Sequence, residues 1–156
     1  MTKLTNIAPR GLVAGFATLI LSLTMGAAWV SADSPRNGQL HLIKECSQYN
    51  FQPGGFCTVT SSSLDAIAGG TKVFYDQAFG IPAGMLDSNV LLYAGVGNFA
   101  VGRCTVEAST GLGVCTFSDG KGQFAGFTAR VDVRIDFLTG LTYWDGTFSF
   151  SPLPPR

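Results

Sequence analysis

The sequence is poor in the residues that most catalytic, metal-binding and nucleic-acid-binding sites require. It holds a single histidine, His41, so a Ser-His-Asp or Cys-His catalytic device would have to use that residue. Cys-x-x-Cys and His-Glu-x-x-His motifs are missing, and we therefore expect neither a metal nor another cofactor. The ten basic and ten acidic residues form no basic patch, which leaves nucleic-acid binding without its electrostatic driving force.

Helical periodicity is also missing, because apolar residues do not recur at the spacing of an amphipathic helix. They alternate with polar residues or form short runs between turn residues, which indicates strands. Seven or eight strands with short connections are typical of a sandwich or a closed barrel. A barrel is favoured, because closure removes the exposed edges of such apolar strands. The predicted strands cover 39–46, 55–62, 71–79, 88–97, 99–107, 112–118, 125–137 and 141–150.

The first 32 residues have the pattern of a secretory signal peptide. Two basic residues precede an uncharged run over 11–30, and Val30-Ser31-Ala32 provides a cleavage site before Asp33. The run is also long enough to span a bilayer, so an uncleaved membrane anchor is the alternative. Cleavage would release a secreted or periplasmic chain with no membrane contact. That chain would keep eight of the ten basic residues against ten acidic ones, a net charge of −2.

The part of the chain after the predicted signal peptide has the size of one domain and can bury a substantial core. We predict a flexible leader over 33–38 and a β-barrel domain over 39–150. A disordered tail is predicted over 151–156, because its three prolines cannot donate to a strand ladder.

Four cysteines lie in the predicted exported part, where disulfides are expected. Four cysteines permit three pairings. The gaps within the two close pairs are equal, at 11 positions each, and each gap encloses a turn-rich stretch. The simplest pairing therefore joins Cys46 to Cys57 and Cys104 to Cys115 across two hairpins. In the chain-entropy description each bridge would contribute about 3 kcal/mol.

The stretch from Phe127 to Phe137 alternates apolar and polar residues without a break. On a strand, Phe127 and Val131 would face one side, and charged residues of alternating sign would face the other. The charged side fits a solvated outer face, and the apolar side then lines the barrel. An eight-stranded barrel either fills its interior with side chains or holds one small ligand. Phe127 and Val131 are therefore either core residues or part of a ligand pocket.

Two polar residues inside apolar segments are candidates for chemistry. If the Glu45 carboxyl group faces the interior, desolvation would raise its pKa and suit it to acid or base catalysis. In the alternative, Glu45 faces water and Lys44 covers the core with its aliphatic stem. On a continuous strand, Asn98 would share a face with Leu92 and Ala100, either as a satisfied buried amide or as a ligand-binding group.

Aromatic residues with polar tips are suited to lining a cavity, and core packing is the alternative role for each. These residues are Tyr75, Tyr93, Tyr143 and Trp144. Glycines inside strand segments, such as Gly102 and Gly126, indicate bulges, barrel corners or room for a ligand.

Two segments resemble the barrel shared by plant allene oxide cyclases and dirigent proteins. They are IAGGTKVFYDQAFGIPAGMLDSNVLLY and GKGQFAGFTARVDVRIDFLTGLTYWDGTFSF, over 67–93 and 120–150. They contain a glycine-rich turn, a Gly-x-Phe-x-Gly entry into a long strand and a final aromatic strand. The chain is most similar to the small exported bacterial members of this superfamily.

The resemblance implies an all-β, eight-stranded antiparallel barrel of the allene oxide cyclase-like (calycin-like) type, with an apolar cavity and assembly as a homotrimer. In the cyclases, a Glu-x-Asn pair on the first strand is catalytic. The matching stretch here is Lys44-Glu45-Cys46, which has a cysteine at the asparagine position. The glutamate position is either held by Lys44 or displaced by one residue to Glu45. In the second case the catalytic role would carry over to Glu45 alone, and isomerase activity of the cyclase type is left open.

We therefore expect a secreted barrel that binds a small apolar or aromatic molecule in its cavity, with or without steering the cyclisation or coupling of that molecule. The alternative is a structural or interaction module with a packed barrel, whose function lies on its outer or oligomer surface.

Overall fold

A computed structural model describes residues 36–81 and 83–151, which form an all-β closed barrel. Each strand pairs antiparallel with the next, and the last strand pairs with the first. The prediction of an eight-stranded antiparallel barrel is therefore confirmed. The strands are β1 (Asn37–Glu45), β2 (Phe56–Ser62), β3 (Lys72–Tyr75), β4 (Met85–Tyr93), β5 (Phe99–Glu107), β6 (Leu112–Lys121), β7 (Phe127–Asp136) and β8 (Leu141–Phe150).

The predicted terminal segments lie largely outside the described residues. The predicted signal peptide over 1–32 lies wholly outside them, as do residues 33–35 of the predicted leader and all of the predicted tail except Ser151. Asn37 and Gly38, at the end of the predicted leader, already belong to β1. Within the described residues, no helix is long and apolar enough to cross a membrane.

Strand β7 shows how the sequence pattern builds the barrel wall. Phe127 and Val131 are fully buried and face the interior, whereas Arg130 and Asp132 are exposed on the outer face. The predicted alternation of this strand is confirmed. The same period of two recurs in β4, which buries every second residue from Leu86 onward.

One half of the barrel is filled by aromatic side chains, which we call the aromatic plug. Neighbouring rings in it have centroids 5.2–6.1 Å apart and meet in tilted or edge-to-face arrangements. These contacts leave no room for a ligand at this end. The rings of the plug are Phe117, Phe124, Phe127, Phe148 and Phe150.

Two short 3₁₀ turns cover the barrel end beside the aromatic plug. They span Asp65–Ile67 and Gly122–Phe124, and each buries its last residue completely. The Gln123 side chain joins the two turns, because its Nε2 donates to the carbonyl oxygen of Ala66 at 2.8 Å. This end of the barrel is closed.

Both predicted disulfides are present. Cys46 is bonded to Cys57, and Cys104 is bonded to Cys115, which lies directly opposite it on the neighbouring strand. None of the four cysteines is free. The bridges join β1 to β2 and β5 to β6 from inside the barrel, because three of the four cysteines are buried.

The glycines inside predicted strands mark a bulge and a turn, which are structural roles of the kind that the sequence indicates. The register of β5 against β6 shifts between Val101 and Gly102. A Cβ atom on Gly102 would lie 2.7 Å from the Phe117 ring, so no larger residue fits this bulge without a shift. Gly126 has a φ of 75°, in the left-handed region that glycine tolerates, at the turn into β7.

Candidate functional site

The barrel half opposite the aromatic plug is hollow and forms a cavity of about 370 Å³. Its inner wall carries short side chains and both disulfides, which cannot fill an eight-stranded barrel as phenylalanine rings do. The volume lies at the lower end of the range for small-molecule sites, about 300–1,000 Å³. The wall residues include Cys57, Leu86, Cys104, Val106, Cys115, Val133, Thr142 and Trp144.

The cavity opens between the loops that join β1 to β2, β3 to β4 and β7 to β8. Phe51 and Phe137 line it, and each is 58% exposed. Large apolar side chains exposed at the mouth of an apolar cavity favour the entry of apolar molecules over ions. We refer to this opening as the cavity mouth.

Lys44 lies on the deep wall of the cavity and is only 2% exposed. It points inward because it follows Leu40 and Leu42 at the period of two on β1. Its Nζ donates to the hydroxyl oxygen of Tyr75 at 2.8 Å. The ring centroids of Trp144 and Tyr75 lie 5.0 and 5.4 Å from Nζ, within cation–π range.

Burial without an acidic partner perturbs the Lys44 ammonium group. Desolvation lowers its pKa from 10.5 to about 7. The two salt bridges of the described residues join His41 to Asp145 and Arg103 to Asp87, both on exposed side chains away from this wall. At neutral pH a substantial fraction of Lys44 is therefore uncharged.

The hydroxyl groups around Lys44 stay protonated at neutral pH. Burial raises the pKa of Tyr75, and burial also raises the pKa of Tyr49 to about 12. The two rings lie 5.1 Å apart, and the Tyr49 hydroxyl donates to the carbonyl oxygen of Gln77 at 3.1 Å. The deep wall thus holds hydroxyl groups and an amine, with no carboxylate in hydrogen-bond contact with that amine.

Trp144 supplies a second unusual polar group at the same wall. Its side chain is fully buried and lines the cavity. Its Nε1–H is the one buried side-chain polar group of the described residues that has no hydrogen-bond partner. An unpaired buried donor costs about 1–3 kcal/mol.

The predicted ligand-binding residues divide into three groups. Tyr75 and Trp144 line the cavity, beside Lys44. Phe127 and Val131 are fully buried in the barrel interior, but neither lines the cavity, and Phe127 belongs to the aromatic plug. The interior is therefore partly filled and partly hollow. A filled barrel and a hollow barrel were the two alternatives predicted from the sequence, and each describes one half of the molecule.

Tyr93 and Tyr143 lie on the outer face of the barrel. Leu92, before Tyr93, is buried, and so are Thr142 and Trp144 on either side of Tyr143. The period of two therefore turns both tyrosines outward. Tyr93 packs edge-on against Phe74 at 6.4 Å, and the Arg134 guanidinium lies 4.1 Å from the Tyr143 ring centroid. Their expected place in a cavity wall is wrong.

Asn98 lies in the hairpin turn between β4 and β5, at the closed end. Its expected position on a continuous strand is wrong, because β4 ends at Tyr93 and the turn uses two glycines of positive φ. The Asn98 Oδ1 accepts the backbone N–H of Gln123 at 3.0 Å, and its Nδ2 donates to the carbonyl oxygen of Val96 at 3.2 Å. This amide positions loops and does not line the cavity.

Glu45 lies at the cavity mouth with its carboxylate in water. The carboxylate accepts the backbone N–H of Ser47 at 3.0 Å, and this hydrogen bonding lowers the Glu45 pKa. The expected desolvated carboxyl group with a raised pKa is wrong, because the alternation of β1 places Lys44 inside and Glu45 outside. The alternative interpretation was correct about Glu45 but placed only the stem of Lys44 in the core.

Sequence reasoning therefore missed the ammonium group of Lys44 and the hydroxyl of Thr142. Both residues follow the inward period of their strands, Lys44 after Leu42 and Thr142 before Trp144. The pairing of β1 with β8 then places Lys44 directly opposite Thr142. The alternation of inward and outward residues already indicated these inward positions, but lysine was expected to extend its amine to solvent.

A second concave surface lies outside the barrel, on β3, β4 and β5, and we call it the outer groove. It has a volume of about 880 Å³ and is widely open to solvent. Its apolar floor includes Phe74, Leu91 and Val101. Among its polar groups, Asn89 Nδ2 donates to the Asp76 carboxylate at 2.7 Å. The outer groove thus offers a ligand an open, partly apolar surface and not an enclosed pocket.

The class of protein that these observations define is a disulfide-bonded, closed eight-stranded β-barrel with one hollow half. Comparison with family models, with curated proteins and with solved structures gives no match. The allene oxide cyclase-like assignment therefore stays a prediction from the sequence.

Proposed function

We propose that the protein is an exported barrel that binds a small apolar or aromatic molecule in the cavity opposite the aromatic plug. The observation that supports this most strongly is the deep wall, where an apolar cavity holds the buried Lys44 amine without an acidic partner. A buried amine without a counter-charge costs stability, so a fold selected for packing alone would replace it. A ligand gives this amine a role.

The apolar walls would supply affinity, and the deep polar groups would supply orientation. Each Å² of apolar ligand surface removed from water contributes about 25 cal/mol, before the cost of immobilising the ligand. A polar atom of the ligand would point toward Tyr75 and Lys44, and its apolar body would fill the space toward the cavity mouth.

Catalysis of the allene oxide cyclase or dirigent type belongs to the same proposal. A wall that holds one conformer of a reactive molecule favours one ring closure or one coupling product over others. The hydrogen-bonding groups of the deep wall, and not Glu45, would then contact the reacting atoms. A homotrimer and a secreted or periplasmic location complete the proposal, on the basis of the resemblance and the predicted signal peptide.

The alternative function is an interaction module that uses the outer groove. The apolar side chains on its floor favour it, because Val101 is 39% exposed beside Phe74 and Leu91. The inner cavity is the stronger candidate, since it holds a buried amine without an acidic partner, whereas the outer groove is widely open to solvent.

The test is binding of an environment-sensitive apolar dye to two matched variants. Val106→Phe places a ring in the cavity, and Val101→Phe places the same ring in the outer groove. We expect the native protein to enhance the dye fluorescence, Val106→Phe to abolish the enhancement, and Val101→Phe to retain it. The reverse pattern would support the outer groove instead.

Two further measurements keep this test decisive. Circular dichroism checks that Val106→Phe remains folded, and Val133→Phe fills the same cavity if it does not. Native mass spectrometry of the exported protein would reveal a retained ligand, the cleavage site and the number of subunits. A native protein that gives no dye enhancement has a closed barrel, and the cavity proposal would then be wrong.

A further inference from the structure

We propose that Lys44 is a nucleophilic amine that captures an aldehyde or ketone of an apolar or aromatic molecule as a reversible imine. This inference rests on the proposed function, because the carbonyl compound has to enter the cavity. It goes further by naming the reactive group of the ligand and the atom that receives it.

The Trp144 and Tyr75 rings lie at cation–π distance from Lys44 Nζ, but the hydrogen-bond contacts of this group fit a neutral amine better than an ammonium ion. An ammonium group has three N–H donors and no lone pair. The structure provides one oxygen acceptor, the Tyr75 hydroxyl at 2.8 Å, and one weak acceptor, the Cys46 sulfur at 3.8 Å. A neutral amine can use the Tyr75 oxygen as acceptor and still direct its lone pair toward a molecule in the cavity.

The electrostatic surroundings agree with this geometry. The Lys44 pKa is lowered to about 7 by burial, so the nucleophilic form is abundant at neutral pH. The other titratable residues that line the cavity are Glu45, Tyr49 and Tyr75. The tyrosines stay neutral because burial raises the pKa of each, and the Glu45 carboxylate is directed to Ser47 at the mouth. The cysteines of the wall are all in disulfides, so they contribute no charge.

The deep wall also has a donor for a carbonyl oxygen. Tyr75 accepts from Lys44, so its own hydroxyl proton is available for donation. The Trp144 ring packs beside the amine, with its centroid 5.0 Å from Lys44 Nζ, but its Nε1–H is enclosed by protein atoms. An oxygen that accepts the Tyr75 proton makes the carbonyl carbon more electrophilic beside the amine.

The reaction is a condensation that needs no oxidant or reductant. The lone pair of Nζ forms a C–N bond with the carbonyl carbon, and the π electrons of the carbonyl move to its oxygen. The oxygen takes up a proton and the nitrogen loses one, which gives a carbinolamine. The C–O bond then breaks, water leaves with a second proton from nitrogen, and a C=N bond forms. Tyr75 is placed to relay these protons, because it is hydrogen-bonded to the amine.

The experiment traps the imine on the disulfide-intact protein. Cinnamaldehyde, an apolar aromatic aldehyde, is added with cyanoborohydride, which converts an imine into a stable secondary amine. Peptide mass spectrometry then locates the adducts. Lys72 and Lys121 are exposed lysines that also lie over aromatic rings, and they serve as internal controls.

We expect Lys44 to be labelled at least about tenfold faster than either exposed lysine. Its labelling rate should rise with pH through the Lys44 pKa of about 7, where half of the amine is neutral, and level off about one to two pH units higher. Lys44→Met should remove the fast adduct, whereas Lys72→Met should leave it unchanged. An excess of the apolar dye should slow labelling at Lys44 and leave the exposed lysines unaffected.

The outcomes separate this inference from the proposed function. If the dye binds the cavity but Lys44 is labelled no faster than Lys72, the imine inference is overturned and the binding function stands. If neither the dye nor cinnamaldehyde enters, both fail. If cinnamic acid binds the native protein but not Lys44→Met, while cinnamaldehyde leaves Lys44 unlabelled, Lys44 is an anion-binding residue and the imine inference is again wrong.

Discussion

Replacing Lys44 by methionine should make the protein more stable at neutral pH. A lysine whose pKa falls from 10.5 in the unfolded chain to about 7 in the barrel carries a penalty of up to about 5 kcal/mol, at about 1.4 kcal/mol per pKa unit. At pH 7 the penalty is about 4 kcal/mol. Methionine has similar length and no charge, and its sulfur packs well beside an aromatic ring such as Trp144.

The substitution also has a cost, since it leaves the Tyr75 hydroxyl without the Lys44 amine. A lost hydrogen bond to a buried group costs about 1–2 kcal/mol. The net expectation is that Lys44→Met raises the free energy of unfolding by about 2–3 kcal/mol at pH 7. A group that lowers stability yet occupies a cavity wall is typical of a functional site.

The stability difference between Lys44→Met and the native protein should depend on pH. Between pH values of about 7 and 10.5 the unfolded chain holds the Lys44 proton more tightly than the barrel does, so the stability of the native protein rises with pH. The advantage of Lys44→Met should therefore shrink as pH increases. Near the upper end of this window the variant should be the less stable protein, by about 1 kcal/mol, because only the lost hydrogen bond remains.

The assay is equilibrium unfolding in guanidinium chloride at several pH values, without reductant. Trp144 is the only tryptophan after residue 32, so its fluorescence reports on the cavity wall directly. Lys72→Met removes an exposed lysine from the same sheet and serves as the control. If Lys44→Met lowers stability at pH 7, or keeps the pH slope of the native protein, the account of a desolvated amine is refuted.

Three further predictions concern the barrel itself. Phe127→Ala should lower the free energy of unfolding by about 3–5 kcal/mol, because it empties the aromatic plug, while dye binding in the cavity persists; loss of both would show that the two halves are not independent. Gly146→Ala should cost about 1–3 kcal/mol in thermal unfolding, since its Cβ would lie 2.7 Å from Val131 Cα; an unchanged midpoint would contradict this. The double substitution of Cys104 and Cys115 by serine should lower stability by about 3 kcal/mol in guanidinium chloride, and a smaller loss would show that strand pairing already restrains this hairpin.

The architecture was predictable because a barrel strand repeats a local rule. Alternation with a period of two identifies a strand and its faces from neighbouring residues alone, and the predicted bounds 99–107 and 141–150 are those of β5 and β8. The disulfide pairing was predictable for a related reason, since cysteines that flank one short hairpin are brought together by the turn. Strand ends were harder: β4 ends at Tyr93, because Gly95 and Gly97 start a turn that an alternating pattern does not exclude.

The sequence by itself determined the number of strands, the inward face of β7 and the two disulfides, since each depends on residues close together in the chain. Only the tertiary structure decided where the barrel is filled and where it is hollow. The filling depends on the side chains that all eight strands place at the same level along the barrel axis. The tertiary structure also decided that Lys44 meets Tyr75 and Trp144, from strands that are 31 positions or more away in the chain. A lysine at an inward position can reach solvent or stay buried, and the free energy of its charge is set by neighbours that only the closed barrel supplies.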